Sequence, residues 1–358
     1  MLNQRKGLNF EGQNIYVGID VHKKSWSVAV VSESLLLKKF RQDPFPDALH
    51  KFLITNYPGA VYHSVYEAGF CGFWIHYRFT ELGINNIVVN PCDVPTMSKE
   101  KLRKTDAVDC YKLARGLRAG DLQGIYVPDA QNLEIRSLIR LRRSIVKDST
   151  REKNRIKALL HFYGIQIPEQ FNSPQSYWSR CFIKWLQQIE LSTEYGRKTL
   201  DMHLDKHLYL RGLLLRETRA IRELSCGEAF KEPLRLLMSI PGVGITTAIS
   251  FLTEIDDISR FRNADQLAAY VGLIPMCHSS GEKENNGDIT VRKQTILRCS
   301  IVEASWKAIS KDPALTMAYE RYCKRMNANK AIVKIARKLV NRIFFVLKRK
   351  QEYVPCIV

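Results

Sequence analysis

Four carboxylates carry the first chemical signal in this 358-residue chain: Asp20, Glu67, Asp106 and Asp109. Asp20 closes the apolar run IYVGID, and Glu67 closes SVYE. A carboxylate at the end of a buried strand is costly unless its charge is compensated. Asp106 and Asp109 are three residues apart, so on a helix they share a face and can point at one centre. Four such groups converging near strand ends would form a hard-oxygen site suited to one or two Mg²⁺ ions. Two ions about 4 Å apart activate a nucleophile and stabilise the leaving oxygen in phosphoryl transfer. Each carboxylate also has a plainer reading. A strand-terminal Asp is more often a cap or turn residue, Asp106 fits the first turn of a helix, and Asp109 can pair with Lys112 or Arg103.

A second signal lies in GLIPMCHSSGEKENNG, residues 272–287, which reads as a glycine-containing polar loop. Ser279 and Ser280 stand just ahead of Gly281. A serine there is usually a turn or cap residue. It becomes a nucleophile only beside a base or metal, because a free hydroxyl is unreactive. His278 is the local candidate base. IPGVGITTA, residues 240–248, has the pattern of a helix-hairpin-helix turn. Its glycines would let backbone N–H groups approach a phosphate, and the following helix start would add its positive end.

The elements that must position these groups fall into three regions. Residues 15–31 read as two strands around a short turn, with a third strand over 34–42. A helix follows Pro46, a strand runs over 61–69, a helix ends at Gly83, and NNIVVNP is a short buried strand. This β-β-β-α-β-α-β order is a mixed α/β layout without the G-x-G-x-x-G of a dinucleotide fold. Residues 104–118 form the next helix, and 132–163 a long basic one. Residues 176–225 read as a helical hairpin or short coiled coil interrupted at Gly196, with Leu186, Ile189, Leu200, Leu204, Leu208, Leu215 and Ile221 at three-four spacing. A helical region from about 234 closes with a basic helix. The expected domains are 13–130, 131–232 and 233–348.

Composition narrows the function class. Lys and Arg number 55 against 36 Asp and Glu, a formal net charge of +19. Such an excess points to a polyanion, nucleic acid first and an anionic membrane surface second. Hydrophobic residues make up 45%, enough to fill real cores in two or three domains. No run approaches the length of a membrane span, and MLNQRKGLNFEGQN has no apolar core of a signal peptide. Nine scattered cysteines, none in a C-x-x-C pair, fit a reducing cytosol.

The motifs, in order, resemble the DEDD-type insertion-sequence transposases, the serine-dependent recombinases guided by a bridge RNA. The matching stretches are GIDVHKKSWSVAV, YEAG, KTDAVDCYKLARGL, SIPGVG, FRNADQLAAYVGLIP, SSGEKENNGDIT and the following ILR, spanning about residues 15–345. The resemblance implies a ribonuclease-H-like (RuvC-like) N-terminal domain, a helical coiled-coil middle and a mainly α-helical C-terminal transposase domain. It implies Mg²⁺ held by Asp20, Glu67, Asp106 and Asp109, with Ser280 as nucleophile in a covalent serine–DNA link. It also implies donor and target DNA, a structured guide RNA, a homo-oligomer in which dimers build a tetramer, strand exchange through a Holliday junction, and a cytoplasmic, nucleoid-associated location. One departure stands out: GDITVRKQTILR carries Val291 and Lys293 where the family commonly has lysine and glycine.

Three functions compete on these observations. The first is RNA-guided DNA excision and insertion through the covalent serine intermediate. The second is a metal-dependent nuclease of Holliday-junction type, which hydrolyses with water. The third is a non-catalytic nucleic-acid-binding protein whose acids are caps and ion-pair partners.

Overall fold

The computed structural model describes residues 10–95, 105–173, 175–280 and 283–355. The chain forms two compact units, Met1–Ala130 and Gln131–Val358.

The first unit is a five-stranded sheet. Its strands are β1 (Asn14–Val21), β2 (Trp26–Val31), β3 (Leu36–Gln42), β4 (Val61–Glu67) and β5 (Asn85–Val89), in the order β3-β2-β1-β4-β5. β1, β2 and β3 pair antiparallel, whereas β1, β4 and β5 run parallel. Strand alternation assigns the two faces. Ile15, Val17 and Ile19 of β1 are buried with Val28 and Val30. They pack with Leu49 and Leu53 of α1 (Pro46–Asn56) and with Ile75 and Phe79 of α2 (Trp74–Glu81). Ala29 and Val31 of β2 instead meet Cys110 and Ala114 of α3 (Asp106–Ala119). Val65 and Val89 meet Leu113 of the same helix. This layout is the mixed α/β, RuvC-like arrangement expected of the N-terminal region.

The second unit is mainly helical. It contains α4 (Ala130–Phe162), which begins at the unit boundary, α5 (Arg180–Gln188), α6 (Glu194–Ser225), α7 (Glu228–Met238) and α8 (Ile245–Ile255). After α9 (Ala264–Val271) come a two-stranded hairpin, β6 (Pro275–Ser280) and β7 (Lys283–Ile289), then α10 (Thr295–Ala308), α11 (Pro313–Cys323) and α12 (Ala328–Arg349). Residues expected as an irregular loop are thus a β-hairpin, paired from Pro275 with Ile289 to Ser280 with Lys283. The break expected at Gly196 lies instead at residues 189–193. Thr193 caps α6, and its hydroxyl accepts from the Gly196 N–H at 3.3 Å, so this glycine sits inside the first turn. Leu186, Leu200 and Leu204 pack with Ile156 and Leu160 of α4, whereas Leu208 and Leu215 are exposed.

The turn between α7 and α8 carries Gly242 at φ +87°, a left-handed conformation that favours glycine. A Cβ there would lie 2.5 Å from the Ala304 carbonyl oxygen of α10. The expected helix-hairpin-helix turn therefore needs this glycine for helix packing as well as for turn geometry.

Ion pairs take up much of the long helix α4. Arg140 grips the fully buried Glu254 of α8 with Nε to Oε1 at 2.7 Å and Nη2 to Oε2 at 2.8 Å. Arg136 lies beside the same carboxylate and donates to the Thr253 carbonyl. Arg142 meets Glu217, Arg151 meets Asp148 and Arg155 meets Glu152. Glu152, fully buried, is also contacted by His203 and Lys206 of α6. Most of the arginines along α4 thus have carboxylate partners. No helix among the described residues is long and apolar enough to cross a membrane.

Burial pushes the Glu217 carboxyl up to about 7, with Arg142 opposing. An unfolded glutamate ionises near 4.5. Between these values the folded protein keeps a proton that the unfolded chain has released, so stability falls as pH rises through that window. Glu217→Gln removes this loss. The gap in melting temperature between variant and parent should widen in the variant's favour from pH 5 to pH 8; a gap independent of pH would contradict the assignment.

Candidate metal centre

The centre is assembled where β1 ends and α3 begins. Asp20 is the seventh residue of β1 and belongs to the face that carries Gly18, opposite the one that buries Ile15, Val17 and Ile19. His22 follows two residues later, just past the strand, and keeps the same side by alternation. Asp106 is the first residue of α3, after Thr105 at the N-cap. One ligand atom each from Asp20, His22 and Asp106 can be chosen so that all lie within 4.8 Å of one another. His22 Nε2 is 3.2 Å from Asp20 Oδ2 and 3.6 Å from Asp106 Oδ1. Arg41, from β3, donates to the other oxygen of Asp106 at 2.9 Å. That bond leaves Oδ1 as the oxygen nearest His22.

Electrostatics mark Asp20 as the strained member. Burial pushes its carboxyl above the ordinary range. Nearby His22 opposes this, and the charges of Asp106 and Asp109 raise it further. A carboxylate that is partly desolvated and faces two others is poised to be satisfied by a cation.

The four expected carboxylates are placed differently. Asp20 and Asp106 belong to the three-residue group. Asp109, one turn further along α3, pairs with Lys112 at 3.4 Å. The plainer reading of Asp109 is thus realised for Lys112, while Arg103 lies outside the described residues. Glu67 is the last residue of β4 and pairs in register with Val89. Ile19 stands opposite Tyr66, so Asp20 and Glu67 are the next residues on neighbouring parallel strands. His22 escaped the reading of the sequence. Its signal was the two-residue step from Asp20, which puts both on one side of an extended chain.

Gly18 brings strand and helix together. A Cβ on it would lie 2.0 Å from the Cys110 carbonyl oxygen and 2.4 Å from the Ala114 nitrogen. Only a glycine lets α3 sit this close to β1, and the same seating carries Asp106 to Asp20.

The expectation of RNA-guided excision and insertion through a covalent serine–DNA intermediate is corrected here. Among the described residues, the group that comes together is Asp20, His22 and Asp106, a candidate metal-binding set within the first unit. Such a set supports attack by an activated water and needs no protein nucleophile. This is the metal-dependent nuclease chemistry that stood as the alternative. Ser280 ends strand β6, and its side chain lies outside the described residues. Val291, which stands where the family commonly has lysine, is 80% exposed.

Gly18→Ala tests the seating. Calorimetric titration of Mn²⁺ should show affinity lowered at least tenfold while the helical content seen by circular dichroism is kept. Unchanged Mn²⁺ affinity would separate Gly18 from the centre.

Comparison with known proteins agrees with this geometry. Residues 17–165 match a family model for DEDD-type IS110 transposases, described as "Transposase", and residues 234–320 match one described as "Transposase IS116/IS110/IS902 family". The chain is 28% identical over 295 residues to a putative transposase, y4qE, of Sinorhizobium fredii, covering 81% of this chain and 71% of that protein. It is 26% identical over 301 residues to the transposase for insertion sequence element IS1533 of Leptospira borgpetersenii, covering 82% and 85%. It is 27% identical over 293 residues to the transposase for insertion sequence element IS1111A of Coxiella burnetii, covering 79% and 77%. Two family matches in the expected order, similar transposases along most of the chain, and acidic groups gathered at the end of the sheet give one assignment: the chain is a DEDD-type transposase of the IS110/IS1111 family with a RuvC-like domain.

Proposed function

We propose that this transposase cuts DNA strands, including four-way junctions, by metal-dependent hydrolysis. The observation that carries the reading is the Asp20–His22–Asp106 group. Its donors fit a hard divalent cation: two carboxylates supply charged oxygens, which Mg²⁺ prefers over nitrogen. Glu67, on the adjoining strand, and Asp109, on the next turn of α3, would complete the coordination of one or two ions, with Asp109 giving up its contact with Lys112. A bound ion supplies Lewis-acid stabilisation of charge on the scissile phosphate. The chain's own residues do the rest. Asp20 and Asp106 orient the centre, Arg41 fixes the Asp106 carboxylate, and His22 accepts the proton of the attacking water.

The partners follow from charge. DNA is the substrate class of a transposase, and the excess of 55 basic over 36 acidic residues supports phosphate contacts with it and with a structured RNA partner. A homo-oligomer is part of the same proposal, supported by the exposed Tyr195, Met202 and Tyr209, which repeat every seven residues along α6 as in a coiled-coil seam. The working division is a catalytic region over 13–130, a central helical region over 131–232 and a C-terminal region over 233–348, acting in the cytosol.

A synthetic four-way junction with Mg²⁺ tests the reading. Asp20→Asn and Asp106→Asn should each lower strand cleavage by about 100-fold or more, as expected when electrostatic stabilisation of the reacting charge is lost. His22→Ala should lower it by about 100-fold. Ser280→Ala should cleave as the parent does, and denaturing gels should show nicked strands without attached protein. A protein–DNA adduct stable to denaturant, lost in Ser280→Ala, would overturn the hydrolytic mechanism.

A further inference from the structure

Helix α12 has two working faces. Ile332, Ile335, Leu339, Val340 and Ile343 are buried in the core of the second unit. A second stripe, Lys330, Val333, Lys334, Arg337, Lys338 and Asn341, follows helical spacing and lines a cavity of about 1030 Å³. The facing wall comes from residues 273–275 entering β6, residues 287–289 leaving β7, and Tyr322 of α11. Small-molecule sites span roughly 300–1,000 Å³. A cavity at the top of that range, opening beside a row of cations, suits a piece of a polymer.

The lining defines the chemistry of the occupant. Lys330, Lys334 and Lys338 are exposed and make no ion pair among the described residues. Asp288 is the single acid among the described residues of the lining. Arg337 is already held by Asp265 at 2.7 Å and by the Leu273 carbonyl at 3.2 Å, so it frames the cavity. This contrasts with α4, whose arginines are largely paired within the fold. Behind the lysines, Leu273, Ile274, Ile289 and Val333 are buried or half-buried. The Lys334 ammonium lies 5.2 Å from the centre of the Tyr322 ring. Asn341 Oδ1 is buried with no hydrogen-bond partner among the described residues.

Apolar walls, a ring and a row of cations together fit unstacked bases joined by phosphates. A duplex keeps its bases stacked inside and offers no flat face to such a cavity. We propose that the cavity between α12 and the base of the β6–β7 hairpin binds a short single-stranded DNA segment. Strand cleavage by a transposase exposes such segments. The choice of DNA rests on the proposed strand cleavage, whereas the cavity itself lies wholly in the second unit.

Fluorescence anisotropy tests it with the full chain in EDTA, which takes the metal centre out of play. The probes are a labelled 12-nucleotide single strand of mixed sequence, its duplex, and an RNA of the same sequence. Val333→Trp puts a bulky ring into the apolar wall of the cavity and should weaken single-strand binding at least tenfold while duplex affinity changes less than twofold. Lys338→Gln, on the exposed rim, reports independently of whether Val333→Trp folds. It should lower the slope of log affinity against log salt by about 0.7 for the single strand. Loss of single-strand and duplex binding by the same factor, no loss with either variant, or loss confined to the RNA probe would overturn the proposal.

Discussion

Carboxylates held close together repel one another, and the first unit is arranged to hold Asp20 and Asp106 together against that repulsion. Strand β1 brings Asp20 to the end of the sheet, and Gly18 lets α3 approach β1 closely enough to present Asp106. Arg41 provides countercharge, and His22 provides a hydrogen-bonding partner. What remains is a partly desolvated Asp20 whose carboxyl is held above its usual range, an arrangement that a divalent cation relieves. The close seating of α3 is thus both a packing feature and the basis of the chemistry.

The second unit distributes charge by a different rule. Arginines of α4 are used to bury Glu254, Glu217 and Glu152, carboxylates that would be costly without partners. Lysines of α12 are left to solvent. Counting basic residues alone cannot separate these roles, because both α4 and α12 are rich in them. Ion pairing inside the fold separates them, because it occupies most arginines of α4 and leaves the lysines of α12 to solvent.

The first unit was largely legible in the sequence because its signals are local. WSVAVV is β-branched and fully buried, DALHKFLITN has helical spacing after a proline, and KTDAVDCYKLARGLR is amphipathic. The mixed α/β layout followed from that order. The hairpin at 275–289 was missed because PMCHSS and KENNGDI carry little strand propensity, and pairing between them decides the outcome. The boundary in the central helices moved because Thr193 caps α6, so Gly196 interrupts nothing. His22 and Arg41 were not legible as site residues. Arg41 is 65 residues from Asp106, and only the register of β2 against β3 brings them together. The covalent serine route came from resemblance alone, and the assembled acidic centre redirects it to hydrolysis.

Crystals of the protein soaked in Mn²⁺ and measured at the manganese absorption edge test the central claim most directly. The anomalous difference map should place an ion about 2.1 Å from carboxylate oxygens of both Asp20 and Asp106, with His22 beside it. A fully occupied ion bound elsewhere, with Asp20 and Asp106 still paired through His22 and Arg41, would contradict the metal centre on which the mechanism stands.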